Sequence, residues 1–320
     1  MPFISSSTYR PPRFLSNPHV QTVFASMFRK VSGVRYKRDR IDTPDGDFLD
    51  LDWSGVGADK VAIILHGLEG NSERSYVKGM VRALNNDGWD AVAMNFRGCS
   101  GEINRKLRFY HSGETEDLDT VVSHVIAENK YSRLALIGFS LGGNVVLKYL
   151  GERGSKAHPV IRRGVAISAP CDLTAGANKM AEPVNRLYIM RFLRMLREKI
   201  RMKMELMPER INDDGYRTIK TFKEFDDLYT APMHGFKDAA DYWQKASSKP
   251  FLPEISVPTL LVNAADDPFL AEPCYPVDEA KANSAFFLEV PKFGGHAGFV
   301  AFNREKVYWS ESRAISFLNT

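Results

Sequence analysis

A serine, a carboxylate and a histidine, met in that order along a chain, can carry out acyl transfer, and this chain holds each in a setting that suits its role. Ser140 lies in Gly138-Phe139-Ser140-Leu141-Gly142-Gly143, which fits G-x-S-x-G. A serine hydroxyl is a poor nucleophile until a base takes its proton, and histidine is the side chain that titrates near neutrality. A carboxylate behind the histidine fixes its tautomer and stabilises the imidazolium. Residues 134–137 before Ser140 are apolar and strand-like; residues 144–150 after it are helix-like, with Leu147 and Leu150 on one face. A strand–serine–helix turn is so tight that the flanking positions must lack bulk, and Gly138 and Gly142 meet that need. Such a turn lifts the hydroxyl above a sheet and aims a helix N-terminus at it.

The acid and the base follow downstream. Residues 258–262 (PTLLV) read as a buried strand and lead into Asn263-Ala264-Ala265-Asp266-Asp267-Pro268. Either aspartate could orient a histidine, or simply form a loop turn or helix cap. Asp267 is favoured because it directly precedes the break at Pro268. Residues 286–290 form another short apolar run, followed by Gly294-Gly295-His296-Ala297-Gly298. A histidine among three glycines belongs to a flexible-backbone loop, and one helix and one strand fit between Asp267 and His296. His19, His111, His124, His158 and His234 have no such loop and read as surface or core residues. An oxyanion also needs donors. One is expected at the backbone N–H of Leu141, after the nucleophile. The other is expected at Leu68, because residues 61–65 (VAIIL) read as an early strand and His66-Gly67-Leu68 follows it. His66 is expected to shape that loop, not to act as base.

The elements that must position these groups are legible in outline. Residues 34–43 and 48–53 flank a Pro-Asp-Gly turn at 44–46 and read as a hairpin. Strand and helix patterns then alternate: strand 61–65, helix 74–86, strand 90–96, helix 115–128, strand 133–138, helix 141–151 and strand 164–169. The alternation resumes at 258 and ends in a helix over 303–318. Repeated βα units imply a mostly parallel, twisted sheet with helices on both faces, its first edge made antiparallel by the hairpin. Residues 1–32 are expected to form an arm that packs on the domain through Phe14, Val20, Phe24 and Phe28.

The interruption at about 172–247 is expected to be a helical cap. Residues 186–203 hold Arg186, Arg191, Arg194, Arg197, Lys199, Arg201 and Lys203 against one acid, Glu198, while Leu187, Ile189, Phe192, Leu193, Leu196 and Ile200 keep helical apolar spacing. This pattern admits two readings: a lid helix that meets an anionic lipid surface transiently, or a packed helix with one solvated basic face.

Several stretches together resemble the YheT-like branch of the α/β-hydrolase superfamily, relatives of the mammalian ABHD lipases and esterases. They are PPRFLSNPHVQTVF (11–24), HGLEGNSERSY (66–76), NFRGCSG (95–101), YHSGETEDL (110–118), GFSLGGNVVLKYLGE (138–152), EFDDLYTAPMHGF (224–236), NAADDPF (263–269) and GGHAGF (294–299). The resemblance implies an α/β-hydrolase fold and places the family's triad on Ser140, Asp267 and His296. It implies a carboxylesterase or monoacylglycerol-lipase-like activity that needs no cofactor. Some relatives carry an H-x-x-x-x-D sequence linked to acyl transfer. Here no histidine has aspartate five residues on; after His111 that place holds Glu116. A thioesterase, an amidase and an acyltransferase on the same triad remain alternatives, as does a non-catalytic binding protein of the same fold.

Composition agrees with one α/β-hydrolase domain over 1–320. At 320 residues the chain can bury a large core. Its formal charge of +4 is too small to argue for nucleic acid. The sequence has no apolar run of membrane-span length and none of signal-peptide type near MPFISSSTYRPPRF. Cys99, Cys171 and Cys274 form no C-x-x-C and no metal pattern, so free thiols, a cytoplasmic location and no metal are expected. The expected partner is a small-molecule ester. The oligomeric state is not readable.

Overall fold

The structure, a computed structural model, describes residues 2–320. Asn17 accepts from the His19 and Val20 N–H groups and starts the first helix, with Pro18 at a position where a missing N–H costs nothing. The chain thus runs from β1 (Phe3–Ile4) to α1 (Pro18–Met27), then through the hairpin β2 (Lys37–Asp42) and β3 (Phe48–Ser54). Next come β4 (Lys60–Leu65), α2 (Ser75–Asn86), β5 (Asp90–Asn95), α3 (Thr115–Ala127), β6 (Arg133–Phe139), α4 (Leu141–Arg153) and β7 (Ile161–Ile167). A helical segment follows, with α5 (Leu173–Met180), α6 (Arg186–Leu206), α7 (Phe222–Phe225), a π-helical turn at Asp226–Thr230, α8 (Ala231–His234) and α9 (Ala239–Ala246). The chain returns to the sheet as β8 (Thr259–Val262), α10 (Val277–Ala282) and β9 (Phe286–Glu289), and α11 (Trp309–Leu318) follows.

The sheet has nine strands in the order β1-β9-β8-β7-β6-β4-β5-β3-β2. Strands β4 to β9 and β1 are parallel, and β3 meets both β5 and β2 antiparallel, so the hairpin forms the antiparallel edge expected of it. Side chains alternate across a strand. Val61, Ile63 and Leu65 of β4 therefore enter the core shared with α3 and α4, while Ala62 and Ile64 enter the core shared with α2 and α11. Both faces are covered, which is why the strand reads as an unbroken apolar run. Each buried isoleucine or leucine contributes roughly 1.5–3 kcal/mol from burial.

The arm differs from expectation. Its first residues add β1 to the sheet beside β9, with Phe3 opposite Leu288. Two residues carry no periodicity, so this pairing leaves no mark in the sequence. Of the residues expected to pack, Phe14, Val20 and Phe28 are exposed; Tyr9, Leu15, Gln21 and Ala25 are buried instead. The closing helix begins at Trp309, not 303.

Helix α6 corrects the reading of residues 186–203 in two ways. Ile189, Leu193, Leu196 and Ile200 face inward as expected, but Leu187 is 80% exposed. The lysines of the basic run are not on a solvated face. Lys203 is fully buried and its ammonium donates to the carbonyl (2.6 Å) and side-chain oxygen (2.9 Å) of Asn104 and to the carbonyl of Lys106 (2.5 Å). Burial pushes its pKa down to about 8. Lys199 is buried as well. Arg197 and Arg201 both hold Asp213, leaving Arg186, Arg191 and Arg194 as outward-facing cations, Arg194 within 3.7 Å of Glu198. No helix among the described residues is long and apolar enough to cross a membrane.

Candidate active site

Ser140 stands at the turn between β6 and α4. Its backbone takes φ +51°, ψ −119°, a left-handed value that costs a non-glycine residue about 1–3 kcal/mol. The turn is held by the Ser140 N–H donating to the Ile167 carbonyl (2.9 Å) and by the Asn144 N–H donating to the Ser140 carbonyl (3.1 Å). A β-carbon at Gly138 would collide with the Gly142 backbone, and one at Gly142 would sit 2.6 Å from the carbonyl oxygens of Leu65 and His66. Only glycines permit this approach of helix to strand.

The structure brings Ser140, His296 and Asp267 into one chain of hydrogen bonds. Ser140 Oγ lies 2.9 Å from His296 Nε2, and His296 Nδ1 lies 3.0 and 3.1 Å from the two carboxylate oxygens of Asp267. These contacts imply the tautomer with the proton on Nδ1. Asp267 is buried and also accepts from the Phe269 N–H (2.9 Å). Asp266 does a different job: it accepts from the Gly295 N–H (2.9 Å), bracing the histidine loop. Burial pushes its pKa up to about 6.

The His296 loop is held from distant parts of the chain. The His296 N–H donates to Thr22 Oγ1 on α1 (2.9 Å), and the Ala297 N–H donates to Ser168 Oγ (2.8 Å). The Phe269 ring packs on the imidazole with centroids 4.3 Å apart. Sequence reasoning missed Thr22 and Ser168. Thr22 lies in 11–24, a stretch that carries the family resemblance, but nothing in its own residues says what it holds.

Leu68 and Leu141 line the same cavity as Ser140. The Leu141 N–H belongs to the first turn of α4, which has no intrahelical acceptor. The loop bearing Leu68 is shaped by His66, whose Nδ1 contacts the Gly67 carbonyl (2.7 Å) and whose Nε2 accepts from the Phe96 N–H (3.2 Å). Burial depresses the His66 pKa to about 3, so the ring stays neutral and structural.

Two cavities of about 160 Å³ each meet at Ser140 and His296. The first runs beneath the helical segment between β7 and β8, walled by Leu173, Met180, Phe192, Leu196, Ile200 and Leu270. The second opens between α1 and α6, past Thr22, Val23, Tyr188 and Arg191. His111 and His234 lie in the wall of the first cavity, their rings 4.8 Å apart. Among the described residues no group of three histidine, cysteine or acidic side chains is disposed to hold a metal ion, and the three cysteines are free and buried.

The sequence pattern of the alpha/beta hydrolase fold family matches residues 61–300. This chain belongs to the α/β hydrolases. Such hydrolases include YheT of Escherichia coli (strain K12), an esterase by name, to which this chain is 36% identical over 325 residues, covering 99% of this chain and 95% of that one. Human phospholipase ABHD3 is 28% identical over 307 residues, covering 93% of this chain and 75% of its own length. A monoacylglycerol lipase of Saccharomyces cerevisiae is 30% identical over 265 residues, with shares of 80% and 58%. Among solved α/β-hydrolase structures, the Pyrococcus furiosus esterase PF2001 superposes with a TM-score of 0.60 at 19% identity, covering 99% of this chain and 98% of that one, a likeness of fold.

Proposed function

We propose that the protein hydrolyses carboxylic esters of short to medium acyl chains through an acyl-Ser140 intermediate. The 2.9 Å contact between Ser140 Oγ and His296 Nε2, with Asp267 behind the imidazole, carries this reading. It is supported by relatives named esterase, phospholipase and monoacylglycerol lipase. His296 takes the Ser140 proton as Oγ attacks the ester carbonyl, and the imidazolium leans on Asp267. The N–H groups of Leu68 and Leu141 stabilise the oxyanion. His296 then gives its proton to the departing alcohol. Water, deprotonated by the same imidazole, attacks the acyl-serine and releases the acid. No cofactor enters this sequence.

Residues 1–320 act as one domain in this reading, with the arm 1–32 and a cap at 172–247. The acyl chain occupies the cavity beneath the cap. An apolar cavity of roughly 150 Å³ accommodates a benzene-sized group, so a volume of about 160 Å³ suits a short acyl chain. The alcohol leaves through the opening between α1 and α6. Val23 of α1 and Arg191 of α6 form the rim of that opening, and the same two helices expose Val20, Met27, Leu187, Met190 and Arg194. We assign transient contact with an anionic membrane surface to this rim, not to the whole basic run. Three buried free thiols fit a reducing, cytoplasmic setting.

The test is a hydrolysis screen of esters of increasing acyl length, beside thioesters, amides and an acyl-transfer assay with an alcohol acceptor. Rates should rise by about 0.8 kcal/mol of transition-state stabilisation per methylene that fits, then fall once the cavity is full. A steady rise out to long-chain, insoluble substrates would overturn the enclosed pocket. Faster turnover of thioesters or amides would move the assignment to those classes.

A further inference from the structure

We propose that Lys199, carried by α6, is a positioning residue for the oxyanion donor Leu68 and acts through Glu69. The proposal rests on the reading of Ser140 as nucleophile and of Leu68 as a donor to its oxyanion.

Glu69 follows Leu68 directly and holds φ +52°, a left-handed backbone without a glycine to ease it. Something must over-determine such a residue. Four hydrogen bonds do so. Its carboxylate accepts from Lys199 Nζ (2.8 Å) and from the Tyr110 hydroxyl (2.7 Å), and its own N–H donates to the Tyr110 oxygen (2.8 Å). Arg74 donates to its carbonyl (2.9 Å). On the other side of Leu68, the Gly67 N–H donates to the Tyr76 hydroxyl (3.0 Å) and the Gly67 carbonyl accepts from the Gly70 N–H (2.9 Å). Of the N–H groups from Gly67 to Gly70, that of Leu68 alone donates to no protein group. Leu68 lines both cavities that reach Ser140. The loop is therefore tied everywhere except at the one donor that the chemistry needs.

Lys199 is the only one of these ties that comes from the helical segment between β7 and β8. It and Glu69 have side chains 8% and 7% exposed. Burial works against the ammonium, but Cys99 and Glu69 outweigh it and raise the Lys199 pKa. Cys99 Sγ lies 3.0 Å from Nζ, and burial pushes that thiol up to about 11, so it stays a neutral acceptor at neutral pH. A buried pair of this kind is weak evidence for stability, since desolvation offsets attraction. What it supplies is direction: a fixed ammonium pulls the Glu69 side chain toward α6 and anchors the backbone on the C-terminal side of Leu68, which limits how the Leu68 N–H can be presented. Completion of the oxyanion hole and seating of α6 are then one event.

The experiment compares Lys199→Met, the paired variant Glu69→Gln/Lys199→Met, and Ser140→Ala as a control. Lys199→Met alone strands a buried carboxylate and can unfold the chain. The paired variant removes both charges and keeps the fold testable. Readouts are the melting temperature, kcat and KM on a soluble short ester, and affinity for a trifluoromethyl ketone, which adds to the serine as a tetrahedral oxyanion. Losing a whole oxyanion donor lowers kcat by about 100- to 1,000-fold, so a misdirected one should cost about 10- to 100-fold. The expected paired variant melts near the wild type, keeps KM within a few-fold, and loses kcat and ketone affinity by the same factor. A well-folded paired variant with wild-type kcat and ketone affinity, beside an inactive Ser140→Ala, would overturn the positioning role alone. An active Ser140→Ala would overturn the nucleophile and the oxyanion hole with it.

Discussion

Ser140 and Lys199 line the same cavity and are held there by opposite means. Ser140 is set by the sheet: an apolar strand buried on both faces, two glycines and a backbone hydrogen bond to β7. Lys199 is set by charge: an ammonium drawn inward from a helix that otherwise reads as basic and solvated. Backbone geometry is insensitive to pH and salt. Buried polar pairs are strong only while both partners remain and are correctly charged. The sheet-borne half of the site should therefore fail all at once when cut, and the helix-borne half should fail by degrees and with pH.

The sharpest cut is Ser140→Ala. It should abolish fluorophosphonate labelling and lower turnover by at least about 10⁴-fold with the fold intact. Activity within tenfold of the wild type would break the comparison at its root. Next is the aspartate pair. Asp267→Asn should reduce kcat by about 10³- to 10⁴-fold, because the amide favours the wrong histidine tautomer. Asp266→Asn should cost far less, since that carboxylate braces the Gly295 N–H and not the ring. If the two effects were exchanged, the orienting acid would be Asp266.

The helix-borne half has its own titration. Asp226, in the π-helical turn, bonds Thr230 and the Trp243 indole, and burial lifts its pKa to about 7. A raised carboxyl pKa means the folded state binds more protons than the unfolded state between about pH 4 and 7. Folding stability therefore falls as pH rises through that window, and the loss is complete above pH 7. Asp226→Asn mimics the protonated form, so its advantage over the wild type should grow by roughly 3–4 kcal/mol from pH 4 to pH 8. Denaturant melts at several pH values measure this; a pH-independent difference would show the carboxyl to be charged throughout. The smallest effect belongs to the rim. Arg191→Gln with Arg194→Gln should weaken binding to anionic vesicles by roughly 30-fold, about 1 kcal/mol per cation, while changing soluble-ester hydrolysis far less. Unaltered vesicle binding would leave those arginines as a solvated face.

What the sequence made legible follows the same division. The elbow and the β–α alternation rest on local rules, namely glycine at tight turns and apolar runs in strands covered on both faces. The loop sites at Asp267 and His296 announced themselves by proline and glycine neighbours. Lys199 and Lys203 were misread because a lysine at helical spacing looks the same whether it points to water or to a buried carbonyl; only Asn104 and Glu69, distant in sequence, decide which. Leu187 misled in the opposite sense, an apolar residue at core spacing that the core does not use. β1 and Thr22 were invisible because their partners lie far along the chain.

The contact between Thr22 and the His296 N–H spans 274 residues, and β1 likewise lies against β9. Synthesis runs from the N-terminus, and local units fold as they emerge. The serine turn needs only β6, α4 and β7, so it can form while β8 and β9 are still unmade. The histidine loop is made long after α1 and cannot settle until the two meet. Contacts of such long sequence separation form slowly because their loop closure is unrewarded until the end. In a refolding experiment, fluorescence from the sheet should recover first and hydrolysis last, with the lag between them measuring the docking of α1.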